Sequence, residues 1–404
     1  MADRGRICIL YDFLFPHTIG GAERWYRNVA ERLALAGHPV TYLTTRQWQR
    51  GEKPQLEGGV EVVAVLPKLP PYTPSGRRRI LPVLLFSLAV AAHLLRHRRR
   101  YAVIHTNATP FLPLLTVGLL QPLCSYRLVV DYHELWTARY WRSYLGPVGG
   151  TIAYLIQSLC LRFPQEAFCF ARLYEARLHA AGVNGPVRVL EGEYAGPLEE
   201  PQPRPAKPFL LFAGRLIPEK RPLLALEAFA LARKRLPELQ LKLLGQGPLE
   251  GEVRAAVARL GLEGVVEVPG FVAAERLQEL MGEALALLHP SSREGYGMVV
   301  IEACAAGTPA IVVAGEDNAS CELIEVGVNG YVVPLPQPDL LAEAILKVHA
   351  AGQELRGRTA SWFGRNAGRL SLERSLATVV ATYPPVPAPP APAAPPAPFG
   401  AASS

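Results

Sequence analysis

Short apolar runs alternate along the chain with longer stretches in which apolar residues recur every three or four positions. Residues 6–11 are mostly apolar, 12–21 are interrupted by Pro16, Gly20 and Gly21, 22–36 have a helical period, and 39–44 are β-branched and aromatic. Strand, loop, helix and strand in that order make a βαβ unit. Similar runs at 62–66, 102–106, 128–132 and 187–190, separated by helix-length segments, predict a parallel sheet with helices on both faces. Residues 199–208, EEPQPRPAKP, can neither pair as a central strand nor continue a helix, and are read as a linker. The rhythm then restarts at 209–213, 239–244, 265–268, 284–288, 310–313 and 330–333, which predicts a second α/β domain.

The expected organisation is a Rossmann-like domain over 1–198, the linker 199–208, a second Rossmann-like domain over 209–364, a helical segment over 365–383 that packs back on the first domain, and a tail over 384–404. The tail carries no charge and is dominated by Pro and Ala, a composition expected to be disordered or polyproline-like.

Half of the 404 residues are hydrophobic and 19% are charged, which supports sizeable cores and excludes wholesale disorder. The formal net charge of +7 belongs to the first 200 residues alone. Arg77, Arg78, Arg79, Arg96, Arg98, Arg99 and Arg100 supply seven cations with no Asp or Glu between positions 77 and 100, a local patch and not a nucleic-acid-binding composition. Between them lies an apolar stretch, 80–92, interrupted by Pro82. It is shorter than the roughly 20 residues needed to span a bilayer. Leu81, Leu84, Leu85, Leu88, Ala92 and Leu95 share one helical face, and two readings stay open: a core helix with solvated basic ends, or a helix that meets anionic lipid or an anionic acceptor. The six cysteines show no metal-binding spacing and read as buried thiols, and the first residues lack a long apolar run. A cytoplasmic protein, peripheral at the membrane face if the second reading holds, is expected.

Candidate chemistry gathers at strand ends. Gly20 and Gly21, between a strand and a helix, allow close backbone approach to an anion. Gly214 ends an apolar strand and is followed by Arg215 and then Lys220, cations placed where open α/β sheets bind ligands and suited to phosphate. Gly245 and Gly247 form another strand-end turn, and Phe271 and Val272 are placed to offer backbone to a base. The most informative stretch is 290–311, PSSREGYGMVVIEACAAGTPAI. Glu302 lies there on a helix otherwise apolar all round, so its carboxylate needs a donor such as a ligand hydroxyl. Glu294 precedes it by eight residues, roughly 12 Å if helical, with Gly295, Tyr296, Gly297, Met298 and Val299 at the helix start between them. His133, after the strand at 128–132, is a possible donor to a ligand hydroxyl.

These residues resemble a family. GGAE at 20–23, AGRLIPEKRP at 213–222, GQGP at 245–248, PSSREGYGMVVIEACAAGTPAIV at 290–312 and ELIEVGVNGYVV at 322–333 are similar to the retaining nucleotide-sugar glycosyltransferases of family four. The resemblance implies the GT-B fold, two Rossmann-like parallel-sheet domains facing each other across a cleft, with the acceptor on the first and the donor on the second. It implies that Arg215 and Lys220 hold the donor diphosphate, Glu302 the ribose hydroxyls, and Glu294 the hydroxyls of the transferred hexosyl unit. Gly20 and Gly21 would approach the phosphate, His133 would lie near the sugar, and residues 318–322 would complete the pocket. No metal or other cofactor is expected; the expected acceptor is a hydroxyl of a lipid-linked sugar, a polysaccharide or a small polar metabolite, with the apolar, arginine-flanked segment favouring a lipid-linked one. The chain departs from the family at Glu191-Gly192-Glu193-Tyr194, where an Asn-Gly-Val-Asp type turn is usual. The competing readings are another GT-B chemistry, a nucleotide-sugar epimerase or phosphorylase, and a nucleotide-sugar-binding subunit without turnover.

Overall fold

A computed structural model describes residues 5–18, 20–70, 73 and 78–383; Arg77 and the tail over 384–404 lie outside them. The first sheet is built from β1 (Arg6–Leu10), β2 (Val40–Arg46), β3 (Glu61–Pro67), β4 (Tyr101–Asn107), β5 (Arg127–Tyr132), β6 (Glu166–Cys169) and β7 (Val187–Val189), in the order β3-β2-β1-β4-β5-β6-β7. Helices α1 (Gly21–Leu35), α2 (Ile80–Arg96), α3 (Phe111–Cys124), α4 (Ala138–Cys160) and α5 (Arg172–Ala180) link the strands. The second sheet contains β8 (Phe209–Ala213), β9 (Gln240–Leu244), β10 (Val266–Gly270), β11 (Ala286–His289), β13 (Ala310–Val313) and β15 (Gly330–Val333), in the order β10-β9-β8-β11-β13-β15. A two-residue pair, β12 (Arg293–Glu294) with β14 (Asp317–Asn318), stands apart from it. Helices α6 (Pro222–Arg233), α7 (Glu250–Arg259), α8 (Ala274–Glu283), α9 (Met298–Ala305), α10 (Pro338–Leu370) and α11 (Leu372–Ala381) complete the described chain.

Both sheets are parallel, and their central strands are apolar on both faces because helices cover both. All five residues of β8, FLLFA, are buried. In each sheet the strand order reverses once, between β1 and β4 and between β8 and β11, and the chain leaves neighbouring strands in opposite directions there. That opens a crevice at the carboxyl ends. The strand β6 has no counterpart in the sequence reading: four residues opening on Glu166 are too short a run to stand out, and only their pairing between β5 and β7 makes them a strand.

The helix α2 orients opposite to a core reading of its leucine face. Val83, Phe86, Val90 and Leu94 are buried against the sheet, whereas Leu81, Leu84, Leu88 and Leu95 are exposed. A helix apolar nearly all round has two candidate inner faces, and packing selected the one with the aromatic residue. The basic cluster is also smaller than the sequence suggests. Arg78 pairs with Asp12 and Arg100 with Glu61, while Arg79, Arg96, Arg98 and Arg99 are exposed. Five of the six cysteines are buried free thiols and Cys321 is half-buried.

The chain crosses between the sheets twice, side by side. Tyr194 donates its backbone N–H to Leu370 and accepts from Leu372, so the strand leaving β7 runs beside the junction of α10 and α11. The helix α11 packs on α1, and Tyr383 reaches the interior of the first sheet, its Oη 2.7 Å from His105 Nδ1. His105 Nε2 in turn meets Asp131 at 2.8 Å, and Trp25 Nε1 donates to the same carboxylate at 2.7 Å. A carboxylate with no solvent access is tolerable only with such partners.

Candidate active site

The loops after β8 and β11, at the reversal point of the second sheet, bring Lys220, His289 and Glu294 together. Lys220 Nζ is bonded to Glu294 Oε1, and His289 Nε2 lies 2.7 Å from the same oxygen. Burial alone would raise the Glu294 carboxyl, but His289, Lys220 and their hydrogen bonds outweigh it and hold it well below the usual carboxylate range. Glu294 is thus a fixed anion. It lies on β12 ahead of α9, so the eight residues to Glu302 are not one helix as the 12 Å estimate assumed. A strand, a glycine turn at Gly297 with φ of 109° and a helix start intervene.

The α9 N-terminus has no side-chain cap and no acidic residue in its first turn, so the positive end of its helix dipole is not offset from within that turn. Met298 and Val299 are half-buried against the core there, and Tyr296 is buried with its hydroxyl on the Glu191 carbonyl. Glu302, one helical turn further on, is half-buried. Burial raises its carboxyl, and Arg24 of α1, in the other lobe, is the cation that opposes this. Among the described residues it forms no ion pair.

The first lobe contributes His133 from the loop after β5. Its ring stacks on Phe170 at 4.5 Å and 6°, its Nε2 is buried without a hydrogen-bond partner among the described residues, and burial lowers its affinity for a proton. Gly295 is pressed against this loop: a Cβ there would lie 2.6 Å from the His133 carbonyl oxygen. Only glycine permits that approach, which brings the His133 loop against the residue that follows Glu294. Arg215 is exposed at the end of β8, and its charge reaches Glu23 of α1.

Three glycine assignments change character. A Cβ on Gly20 would lie 2.2 Å from Glu23 Oε2, so Gly20 makes room for that carboxylate at the α1 N-terminus, while Gly21 has open space around it. Gly245 and Gly247 would collide with the carbonyls of Gly214 and Leu216 at 1.9 and 2.4 Å; they let two strand-end loops pack backbone to backbone. Phe271 is largely exposed and Val272 packs on the core edge. Asn318 is buried, holding Ser320 and the Ser291 carbonyl.

Several residues join the lobes, and of these the sequence reading names only Glu322, within 318–322. Arg293 pairs with Glu134 at 2.5 Å and lies over the rings of Trp136 and Tyr140 at 4.4 and 4.1 Å. Tyr140 donates to Glu219, Tyr174 donates to the Glu294 carbonyl at 3.0 Å, and Glu322 accepts from the first two amides of α5 at 2.9 and 2.7 Å. Their only signal in sequence is position: Arg293 lies inside the 290–311 stretch, His289 immediately precedes it, and Glu134 follows His133. Among the described residues no cluster of three or more His, Cys, Asp or Glu side chains is arranged to hold a metal ion.

Two family models match the chain, Glycosyl transferases group 1 over residues 198–361 and Glycosyltransferase Family 4 over residues 19–192. The D-inositol 3-phosphate glycosyltransferase of Streptomyces griseus subsp. griseus is 35% identical over 144 residues, 33% of this chain and 30% of that protein. The putative colanic acid biosynthesis glycosyltransferase WcaL of Salmonella typhimurium is 26% identical over 189 residues, 44% of this chain and 46% of that one. The chain thus spans less than half the length of these curated relatives. Among solved structures, sucrose-phosphate synthase from Thermosynechococcus elongatus has a TM-score of 0.74 at 22% identity, covering 94% of this chain and 98% of that one. The glycosyltransferase WaaG has a TM-score of 0.70 at 19% identity, with 93% and 99% covered. Anabaena HepE in complex with UDP and glucose has a TM-score of 0.65 at 17% identity, with 94% and 99% covered. These likenesses give the two facing sheets the GT-B fold, and with the matched family models on both lobes the chain belongs to the group 1, family 4 glycosyltransferases.

Proposed function

We propose that the protein transfers a hexosyl unit from a nucleoside-diphosphate sugar to a hydroxyl acceptor with retention of anomeric configuration. The observation that carries this reading is that Lys220 and Glu294 of the second lobe meet the His133 loop of the first, against which Gly295 is pressed, with His133 Nε2 buried and without a hydrogen-bond partner among the described residues. Support for the donor class comes from Anabaena HepE, a protein of the same fold solved with UDP and glucose.

Breaking the bond between sugar and phosphate leaves negative charge on the diphosphate and positive charge on the anomeric carbon. In this proposal Lys220, Arg215 and the first amides of α9 meet the leaving diphosphate with charge fixed in advance, so that no metal is required. Glu302 receives the ribose hydroxyls, which compensate a carboxylate that otherwise sits half-buried without a pair. Glu294, held anionic, orients the sugar hydroxyls and does not attack, and His133 Nε2 bonds another sugar hydroxyl. The acceptor hydroxyl attacks from the face that the phosphate leaves, and a phosphate oxygen takes its proton. The acceptor is a lipid-linked or other sugar hydroxyl, used in glycan assembly on the cytoplasmic side of a membrane; the exposed leucines of α2 and the arginines at its ends support a lipid-linked one.

The test is thermal melting of the chain with UDP, GDP, ADP and their hexose conjugates, followed by nucleoside diphosphate release with candidate acceptors. One conjugate is expected to raise the melting temperature, and release is expected to need both the conjugate and an acceptor. Absence of any shift with all three nucleotides overturns the donor assignment; acceptor-independent release of a changed sugar overturns transfer.

A further inference from the structure

We infer that the outer faces of α2, α3 and α4 together form one seat for the surface of an anionic phospholipid leaflet. The inference deepens the lipid-linked acceptor reading and rests on it for its purpose, although the seat itself is measured without donor or acceptor.

The three helices lie as one layer on the same side of the first sheet. Their inner residues, among them Phe86, Leu114 and Trp141, share one core, and α3 sits in the middle, in contact with both neighbours. Their outer side is unusual. Twelve of the nineteen exposed large hydrophobic residues among the described residues lie on these helices, a small fraction of the chain. Leu81 and Leu88 on α2, Leu123 on α3, and Val148, Ile152 and Leu155 on α4 are each more than half exposed, Val148 at 71%. Scattered single leucines need no explanation, but a continuous apolar layer of this extent marks a surface that something covers.

The charge around it identifies the occupant. Residues 62–130 and 135–165 contain no Asp or Glu at all. Arg79 and Arg96, with Arg98 and Arg99, are exposed at the two ends of α2, and Arg139 and Arg142 at the start of α4. A protein interface is rimmed by both signs of charge; a rim of one sign around a leucine-rich layer complements a uniformly negative surface with an apolar interior. No helix among the described residues is long and apolar enough to cross a membrane, so the layer lies on the leaflet and does not span it.

The seat also faces toward the chemistry. A cavity of about 660 Å³ opens between the start of α2, at Arg79, Ile80 and Leu81, and the break in α4 at Leu145 and Gly146. Tyr144, on its wall, contacts Trp136 at 5.2 Å, and Trp136 carries Arg293, the neighbour of Glu294. A head group lifted from the leaflet beside α2 enters the molecule at this cavity.

The experiment is co-sedimentation of the full chain with vesicles of phosphatidylcholine alone and with 30% phosphatidylglycerol, on the order of an anionic inner leaflet. Binding is expected only to the anionic vesicles. Replacing Val148, Ile152 and Leu155 by Ser, or Leu119 and Leu123 by Ser, is expected to lower it strongly, and each Arg→Ser change at 96, 98 and 99 by about fivefold. Melting temperature and stabilisation by a donor conjugate stay unchanged in all of them. Full binding by the α4 and α3 variants overturns the seat in favour of a purely electrostatic contact of α2. A chain that ignores anionic vesicles but is dimeric, with Val148→Ser/Ile152→Ser/Leu155→Ser monomeric, overturns it in favour of a second copy. Release of nucleoside diphosphate with a soluble acceptor separates the two readings: if it persists in a chain that does not bind vesicles, the seat fails and the transfer reading stands.

Discussion

Arg293 of the second lobe pairs with Glu134 of the first, and each is the sequence neighbour of a candidate site residue, Glu294 and His133. The ion pair lies on the rings of Trp136 and Tyr140, and although burial opposes the charge on Arg293, Glu134 outweighs it and keeps the guanidinium firmly protonated. The two loops are therefore tied across the cleft one residue away from the candidate site residues Glu294 and His133.

Removing one member leaves the other charge partly buried and unpaired, a loss of about 3–5 kcal/mol for a buried pair and less where solvent reaches it. Arg293→Ala is expected to lower kcat/KM by at least about tenfold, with Lys restoring part of it through the same pair and rings. The double variant Glu134→Gln/Arg293→Met, which leaves no lone charge, is expected to melt above either single variant. Steady-state kinetics and thermal unfolding check this; equal kcat/KM in Arg293→Ala and the parent removes the coupling.

Lys220→Ala is expected to cost about 10²–10³ in kcat, the usual loss when one preorganised charge at a developing anion is removed. It also frees Glu294 from its nearest cation, so the donor-dependent rise in melting temperature is expected to shrink. Unchanged kcat excludes Lys220 from leaving-group stabilisation.

The unpartnered Nε2 of His133 makes a separate forecast. His133→Ala removes one ligand hydrogen bond and is expected to lower kcat/KM by roughly tenfold; it breaks no protein hydrogen bond at Nε2, and its cost in stability is confined to the lost ring packing on Phe170. His133→Asn, which keeps a donor, is expected to recover part of the loss. A large drop in melting temperature in both variants would instead make the ring a packing element on Phe170.

Glu193, in the crossing segment, is pushed up to about 8 by burial, with Asp131 adding to it. The folded protein holds this proton where the unfolded chain, near 4.5, has lost it. Stability attributable to the group therefore falls as pH rises from about 4.5 to about 8 and is level above that. Glu193→Gln is expected to match the parent near pH 4.5 and to be increasingly more stable up to pH 8, by denaturant unfolding at a series of pH values. A constant difference across the range refutes the raised value.

Much of this molecule was readable before any coordinates. The repeated alternation of apolar runs and helical periods dictates two parallel sheets, because a strand buried on both faces has to be apolar throughout, as FLLFA in β8 is. The stretch from Pro290 to Ile311 likewise shows its chemistry in its composition: two carboxylates and a glycine turn in an otherwise apolar setting demand partners. What sequence could not show were relationships between side chains far apart along the chain. That Gly295 yields to the His133 carbonyl, that His289 joins Lys220 on Glu294, and that Glu23 fills the space over Gly20 each depend on which loops meet. The same holds for α2, whose leucines satisfy a helical period whichever face turns inward. Local sequence determines the period and the strand or helix that results; only long-range packing decides which face is buried and which charges become neighbours, because the free energy of those choices resides in contacts between segments and not within them.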